Sequence, residues 1–296
     1  MPQFPKSTSL SFCALSGWPG IVLCVVFARR AGIAAELLVT VINVDEADVW
    51  AQAAHRTDGF VIPVLSHDIP EAMAYNRLAK MARGHVIMII PDDMVLNLAD
   101  DCSWVRNIQT LFERLPLATV VGMSEYMFEV GQDFHEGAAW FQEPTSKVVA
   151  HFAQAVFSEP IALRRRAFLH VGGFDEGTAS LGKCSNQMDL CHRMWASGYQ
   201  VLWMQGPAIS KADVRDTHAQ VTHSSCISQI SQTGGRSDAL FRRWGARDSR
   251  TVQGFAERAK EANKEHMVPW GTMWQNGQGQ RVCPYPSGCT RFEEAL

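Results

Sequence analysis

A chain of 296 residues that is 47% hydrophobic and 19% charged can close a sizeable core as one α/β domain, with or without an appendage. A formal net charge of −3 and a pI of about 6.4, with Lys and Arg scattered, leave no electrostatic footprint for nucleic acid. Arg164-Arg165-Arg166 and Arg242-Arg243, the dense basic groups, read as solvated helix faces. No stretch offers the roughly 20 unbroken apolar residues of a membrane-spanning helix.

In chain order, "LSFCAL" (10–15) reads as a strand. The apolar run after Lys6 imitates a secretory leader, but Gly17-Trp18-Pro19-Gly20 interrupts it and no small-residue cleavage pattern precedes a mature start. A helix over 19–31 follows, opened by Pro19. Then come a strand "ELLVTVINV" (36–44), a helix over 47–55, a strand "FVIPVL" (60–65), a helix over 70–83 and a strand "HVIMII" (85–90). Asp68 is the expected cap of the 70–83 helix and Gly84 its stop. Near-continuous Val/Ile/Leu runs separated by helices call for a parallel sheet covered on both faces, hence an α/β sandwich of doubly wound type. Ligands of such sheets sit outside the carboxyl ends of the strands, and Pro91-Asp92-Asp93 lies at one such end.

Residues 120–160 mix aromatics with Gly and acids and read as an excursion that shapes a pocket. "RRRAFLHVGGFDE" (164–176) reads as a helix ending at Gly172-Gly173. "NQMDLCHRMWASG" (186–198) reads as another, with Asn186 as cap and Gly198 as stop, before a strand "YQVLWMQ" (199–205). From about 230 the composition turns polar, with "SQTGGRSD" as a hinge. This divides the chain into a main domain, 1–230, and a helical or irregular C-terminal appendage, 231–296. The eight cysteines show no CxxC spacing and fall mostly in apolar segments, as free thiols do in a reducing compartment; a cytoplasmic location, free or peripheral to a membrane, is the default. Cys283 and Cys289, in "CPYPSGC", form a loop in preference to a metal clip.

The order of these motifs, "AYNRLAKMARG", an apolar strand, "PDD", then "GGFDE" and "NQMDLCHRMWASG" about 80 residues later, resembles the GT-A nucleotide-sugar glycosyltransferases, glycosyltransferase family 2 above all. The resemblance covers about residues 70–211 well, 10–60 loosely and 230–296 not at all. It implies a GT-A type Rossmann-like α/β/α sandwich with a mainly parallel sheet. The implied donor is a nucleoside diphosphate-sugar, UDP-sugar first, used with Mn²⁺ or Mg²⁺. A hard divalent ion on one or two carboxylates would screen the two phosphates and the leaving charge.

Adjacent residues of an extended backbone point opposite ways, so the resemblance places the metal on Asp93 and ribose or sugar hydroxyls on Asp92. Relatives carry a further Asp where this chain has Ile90. Asn43 and Asp45 stand where relatives contact the base and ribose, with the plain alternative of a capped loop. Ser16 lies beside the same pocket, and Asn76 matches a family Asn on the preceding helix. Asn186 and Gln187 fall where inverting relatives hold their general base, and neither amide accepts a proton at neutral pH. Asp189 keeps its carboxylate, either as a catalytic group or as a first-turn helix residue. Lys211 replaces a metal-binding His and can meet the diphosphate directly, with His218 and His223 as substitute ligands.

The expected activity is metal-dependent sugar transfer, with retention of configuration because the base position is empty, to a saccharide, lipid-linked saccharide or protein. The alternatives are a weak or inactive nucleotide-binding member, a nucleotidyltransferase, for which "ALSGWPG" is a poor phosphate loop, and a non-enzymatic scaffold that reuses the fold.

Overall fold

Strands that are apolar nearly throughout need cover on both faces, and the first half of the chain builds its sheet from such strands. The structure, a computed structural model, describes residues 9–14, 25–26, 28–29, 32–67, 69–90, 94–96, 103–124, 141–142, 148–156, 160–177, 183–205, 209–211, 238–245 and 249–266. Strands β1 (Leu10–Ala14), β2 (Ala35–Val41) and β4 (Val86–Ile89) are buried at every position. They run parallel in the order β2-β1-β4, with β3 (Val61–Leu65) parallel beyond β2. Helices α1 (Val44–Arg56) and α2 (Glu71–Met81) make the crossovers. Residues 25–26 and 28–29, within the helix expected over 19–31, are helical.

The second half supplies β5 (Met94–Leu96), α3 (Ser103–Arg114), β6 (Ala118–Ser124), β7 (Phe141–Gln142), β8 (Val149–Phe152), β9 (Ile161–Arg164), α4 (Arg165–His170), α5 (Lys183–Ala196), β10 (Gln200–Gln205), β11 (Ile209–Lys211), α6 (Asp238–Trp244) and α7 (Arg250–His266). Nine strands form one sheet in the order β3-β2-β1-β4-β9-β6-β10-β8-β7, and β5 with β11 forms a separate two-stranded ribbon. β9 is antiparallel to β4 and β6, and β8 is antiparallel to β10 and β7, so the other seven strands share one direction. The sheet is mainly parallel as expected. The described parts of the 120–160 excursion, however, are largely sheet strands: β7, β8 and most of β6 lie within it.

Several helix boundaries move for physical reasons. α1 starts three residues before the expected position because Asn43 is its N-cap, its Oδ1 accepting from Glu46 N at 2.8 Å. Asp68 lies outside the described residues, and Pro70 stands at the N-cap of α2 without a side-chain bond. Gly84 does not stop that helix, whose C-cap is Ala82. Its smallness serves packing: a Cβ there would sit 2.5 Å from Ser11 Oγ and 2.6 Å from the Leu10 carbonyl carbon.

That close approach belongs to a polar clamp beneath the sheet. Ser11 Oγ donates to Glu36 Oε1 at 2.6 Å and accepts from Gly84 N at 2.7 Å, while Arg83 donates to Glu36 through its backbone N and its Nε, both at 2.7 Å. Burial alone would push the Glu36 pKa up; the bonds from Ser11 and Arg83 outweigh it and hold the carboxyl below its ordinary range.

The Arg164-Arg165-Arg166 group is not the solvated face expected of it. Arg164 reaches the carbonyls of Phe112 and Leu115 (3.3 Å) at the C-terminal end of α3 and of Ala118 (2.6 Å) at the start of β6, and Arg165 reaches Ala79 O at 2.9 Å and Lys80 O at 3.1 Å at the end of α2. Cations there satisfy orphan carbonyls and the negative pole of the helix. Burial lowers the Arg164 pKa to about 10, which leaves it charged at neutral pH.

The expected appendage is, in its described part, integral to the same core. Phe255, Ala259 and Ala262 of α7 are buried with the central sheet residues. Asn263 completes the edge of β8, donating to Phe152 O at 2.9 Å and accepting from Phe152 N at 2.7 Å. Among the described residues no helix is long and apolar enough to cross a membrane. Asn263→Ala is expected to remove both side-chain bonds to the Phe152 backbone, at a cost of about 2–4 kcal/mol; chemical denaturation of the two proteins measures it.

Candidate functional site

Strand order reverses between β1 and β4: β2 and β3 extend to one side of β1, β4 to the other. A reversal of this kind opens a crevice at the carboxyl ends, the usual ligand position in open α/β sheets. The Ile90 amide still bonds Cys13 O at 3.2 Å, so the β1–β4 pairing persists to the residue just before Pro91-Asp92-Asp93. Asp92, Asp93, Ser16, His218 and His223 lie outside the described residues. The ribbon pairs Lys211 with Met94, the residue after Asp93 in the sequence. Two segments more than a hundred positions apart thereby meet at Met94 and Lys211.

At the neighbouring strand ends, Asn43 is exposed with its Oδ1 held by the cap bond, and Asp45 is exposed in the first turn of α1, where a carboxylate suits the helix dipole. Ile42, Val44 and Leu65 expose apolar side chains at the ends of β2 and β3, with Leu65 in register with Val41. Among the described residues no group of three His, Cys, Asp or Glu side chains is placed to hold a metal ion.

Asn76 is buried rather than solvent-facing, and all of its bonds go to the "GGFDE" turn. Its Nδ2 donates to Phe174 O at 2.8 Å and Glu176 Oε1 at 3.0 Å, and its Oδ1 accepts from Phe174 N at 2.8 Å. Gly173 makes this possible twice over: φ is +74°, and a Cβ would lie 2.3 Å from Asn76 Oδ1. Phe174 packs against Tyr75 and Phe168, with centroids 6.3 and 5.3 Å away.

Helix α5 begins at Lys183, so Asn186 lies inside it and is not its cap. Asn186, Gln187 and Asp189 are all buried. The Asp189 carboxylate does not face first-turn amides. Its Oδ2 accepts from Arg193 Nε at 2.7 Å, one turn on, and its Oδ1 accepts from Arg243 Nη1 at 2.8 Å and Trp244 Nε1 at 2.9 Å. Burial pushes its pKa up, but Arg193, the Trp244 indole and Arg243 outweigh this and hold it below the ordinary carboxylate range. Both oxygens are thus engaged by donors, and the group is a weak proton acceptor.

Arg193 and Arg243 each reach on to the turn. Arg193 Nη1 donates to Val171 O at 2.7 Å, and Arg243 Nη2 meets Asp175 Oδ2 at 2.5 Å. Arg242-Arg243 is therefore not a plain solvated pair. The i,i+4 spacing of Asp189 and Arg193 is a sequence signal for their bond; nothing local signals Arg243 or Trp244. Beside them His192 is buried against Trp244 and Phe255, with ring centroids 5.5 and 5.2 Å away, and Gln154 Nε2 lies 3.5 Å from its Nε2. Burial lowers its pKa from the ordinary 6.5 to about 4, against the pull of Asp189.

No family model and no curated protein matches the sequence. Solved structures do share the fold. The chain is similar to S. aureus TarS 1–349 in complex with UDP-GlcNAc, at 11% identity and a TM-score of 0.50 over 72% of this chain and 61% of that one. TarS 1–349 in another crystal structure gives 10% identity and a TM-score of 0.48 over 68% of this chain and 59% of that one. A CMP:2-keto-3-deoxy-manno-octonic acid synthetase complexed with CTP gives 11% identity and a TM-score of 0.42 over 78% and 99%. The chain thus spans about three fifths of the length of TarS 1–349. At these identities the likeness is one of fold, a GT-A-like Rossmann sandwich.

Gly173→Ala, which meets both a positive φ and the Asn76 amide, is expected to cost about 2–4 kcal/mol, whereas Gly172→Ala, with φ +89° and no neighbour within 4 Å, should cost about 1 kcal/mol. Equal losses in thermal or urea unfolding would remove the special standing of the Asn76 contact. His192 generates a pH dependence. Its folded pKa is depressed, so the unfolded chain takes up the proton first; its contribution is complete above pH 6.5 and is lost as pH falls toward about 4. The full effect is at most about 3 kcal/mol. Urea unfolding between pH 7.5 and 4.5 should show this slope in the parent protein and a shallower one in His192→Phe; parallel curves would refute it.

Proposed function

We propose that the chain is a GT-A type glycosyltransferase that takes a sugar from a nucleoside diphosphate-sugar, a UDP-sugar first, to a saccharide, lipid-linked saccharide or protein acceptor. One observation supports the reading: β4, which pairs with β1 at the strand-order reversal, ends just before Asp92-Asp93 in the sequence, and the ribbon brings Lys211 into register with Met94, the residue after them. A diphosphate needs positive charge at such a crevice. The exposed Ile42, Val44 and Leu65 offer apolar area beside Asn43 and Asp45, where a base and its ribose would lie.

Two adjacent carboxylates are a hard oxygen donor set, which fits Mg²⁺ or Mn²⁺ held by one or two side chains and completed by substrate phosphates. Asp93 would hold the ion, with His218 and His223 as the further candidates, and the ion would supply charge neutralisation of the leaving diphosphate. Lys211 would supply a positive charge of its own. Asp92 would orient hydroxyls of the ribose or sugar.

On the acceptor side, Asn186 and Gln187 are amides, and Asp189 is held by three donors at 2.7–2.9 Å. No carboxylate of the described part of α5 is thus placed to take a proton from an acceptor hydroxyl. This supports transfer with retention of configuration over inversion. Calorimetric titration of UDP and GDP with and without Mn²⁺, followed by a screen of nucleotide-sugars for hydrolysis, tests the reading. Asp93→Asn is expected to remove the Mn²⁺-dependent part of UDP binding without altering the circular dichroism spectrum; unchanged Mn²⁺-dependent affinity would overturn the metal assignment. Release of pyrophosphate in place of nucleoside diphosphate would indicate a nucleotidyltransferase. An anomeric product inverted relative to the donor, seen by NMR, would overturn retention.

A further inference from the structure

One guanidinium joins three parts of the chain that no local sequence relation connects. Arg243, the penultimate residue of α6, donates through Nη1 to Asp189 of α5 at 2.8 Å and through Nη2 to Asp175 of the "GGFDE" turn at 2.5 Å. Asp175 is itself oriented, because its Oδ1 accepts from Gly177 N at 2.9 Å. Trp244 adds its indole N–H to the same Asp189 oxygen at 2.9 Å and stacks edge-on against Phe255 of α7, centroids 5.6 Å apart. From the other side of Asp189, Arg193 reaches Val171 O. The turn over 171–175 is therefore tied to α5 at its first residue by one arginine and at its last by the other, while Asn76 pins Phe174 between them.

The residues between these ties explain why the geometry matters. Asn186 and Gln187 stand on α5 three and two residues before Asp189, and the turn is the segment that Asn76 holds against the parallel half of the sheet. A shift of the turn along α5 would change the spacing between the nucleotide end and the acceptor end of the crevice. We propose that Arg243 is a positioning residue for sugar transfer: it sets that spacing by bridging Asp175 and Asp189, so that the C-terminal helices, which the sequence presents as an appendage, complete the sugar subsite. The proposal rests on the glycosyltransferase reading of the crevice.

Lysine is a poor replacement for arginine here. A planar fork presents two separate nitrogens in fixed directions, one to each carboxylate, whereas an ammonium carries its donors on one nitrogen at the end of a flexible stem and fixes no such geometry. The test compares Arg243→Lys and Asp175→Asn with the parent protein by three measurements. Calorimetry with UDP and with UDP-GlcNAc should show UDP affinity kept within about twofold and UDP-GlcNAc affinity reduced about 10- to 100-fold in both variants, the size expected of a misplaced subsite. Hydrogen exchange should be faster at residues 171–177 in both variants, and a double-variant cycle on unfolding should give a coupling between the two positions. Equal losses for UDP and UDP-GlcNAc, or no loss for either, would overturn the positioning role. If the parent protein binds neither ligand, the glycosyltransferase reading falls on its own, and unchanged exchange at 171–177 in Arg243→Lys would still refute the clamp.

Discussion

A buried carboxylate must be paired or give up its charge, and Asp189 meets that constraint in a way that organises the second half of the molecule. Three donors converge on it from α5 and α6, and two of them are arginines that go on to hold the turn after α4. The turn is pinned in its middle by Asn76 of α2, which belongs to the parallel half. Helices from early, middle and late parts of the chain thereby share one small region of partly buried polar contacts.

The sheet supports this arrangement from below. At its amino end, Glu36 joins β1, β2 and the α2–β4 turn through Ser11, Arg83 and Gly84. At its carboxyl end, strand order reverses between β1 and β4. The contrast is physical: the amino end is closed by satisfied hydrogen bonds and tight packing, and at the carboxyl ends of β2 and β3 Ile42, Val44 and Leu65 are exposed. β9, inserted antiparallel between β4 and β6, carries Arg164 and leads directly into Arg165, and these two cap helices α3 and α2 from one spot on the sheet.

The early strands and crossover helices were legible because burial on both faces of a parallel sheet writes itself as near-continuous apolar runs, and β1, β2 and β4 are such runs but for Ser11, Glu36 and Thr40. The acidic pair after β4 and the amides at 186 and 187 were legible as residue types at fixed places. Arg193 was legible too, since one helical turn separates it from Asp189. Arg164, Arg165 and Arg243 were misread, because a basic cluster in a sequence looks alike whether its charges meet water or carbonyls and carboxylates from other segments.

By itself, then, the sequence determined the fold class, the alternation of strand and helix, and the chemical groups available at the strand ends, all of which depend on local periodicity and side-chain type. Only the tertiary structure decided that Asn76 holds a turn 98 residues away, that Asp189 is engaged by Arg243 and Trp244, and that α7 belongs to the main core. The reason is the same in each case: these contacts join segments of large sequence separation, and which polar groups meet is fixed by the order in which strands pair and helices pack, a choice that no short window of residues encodes.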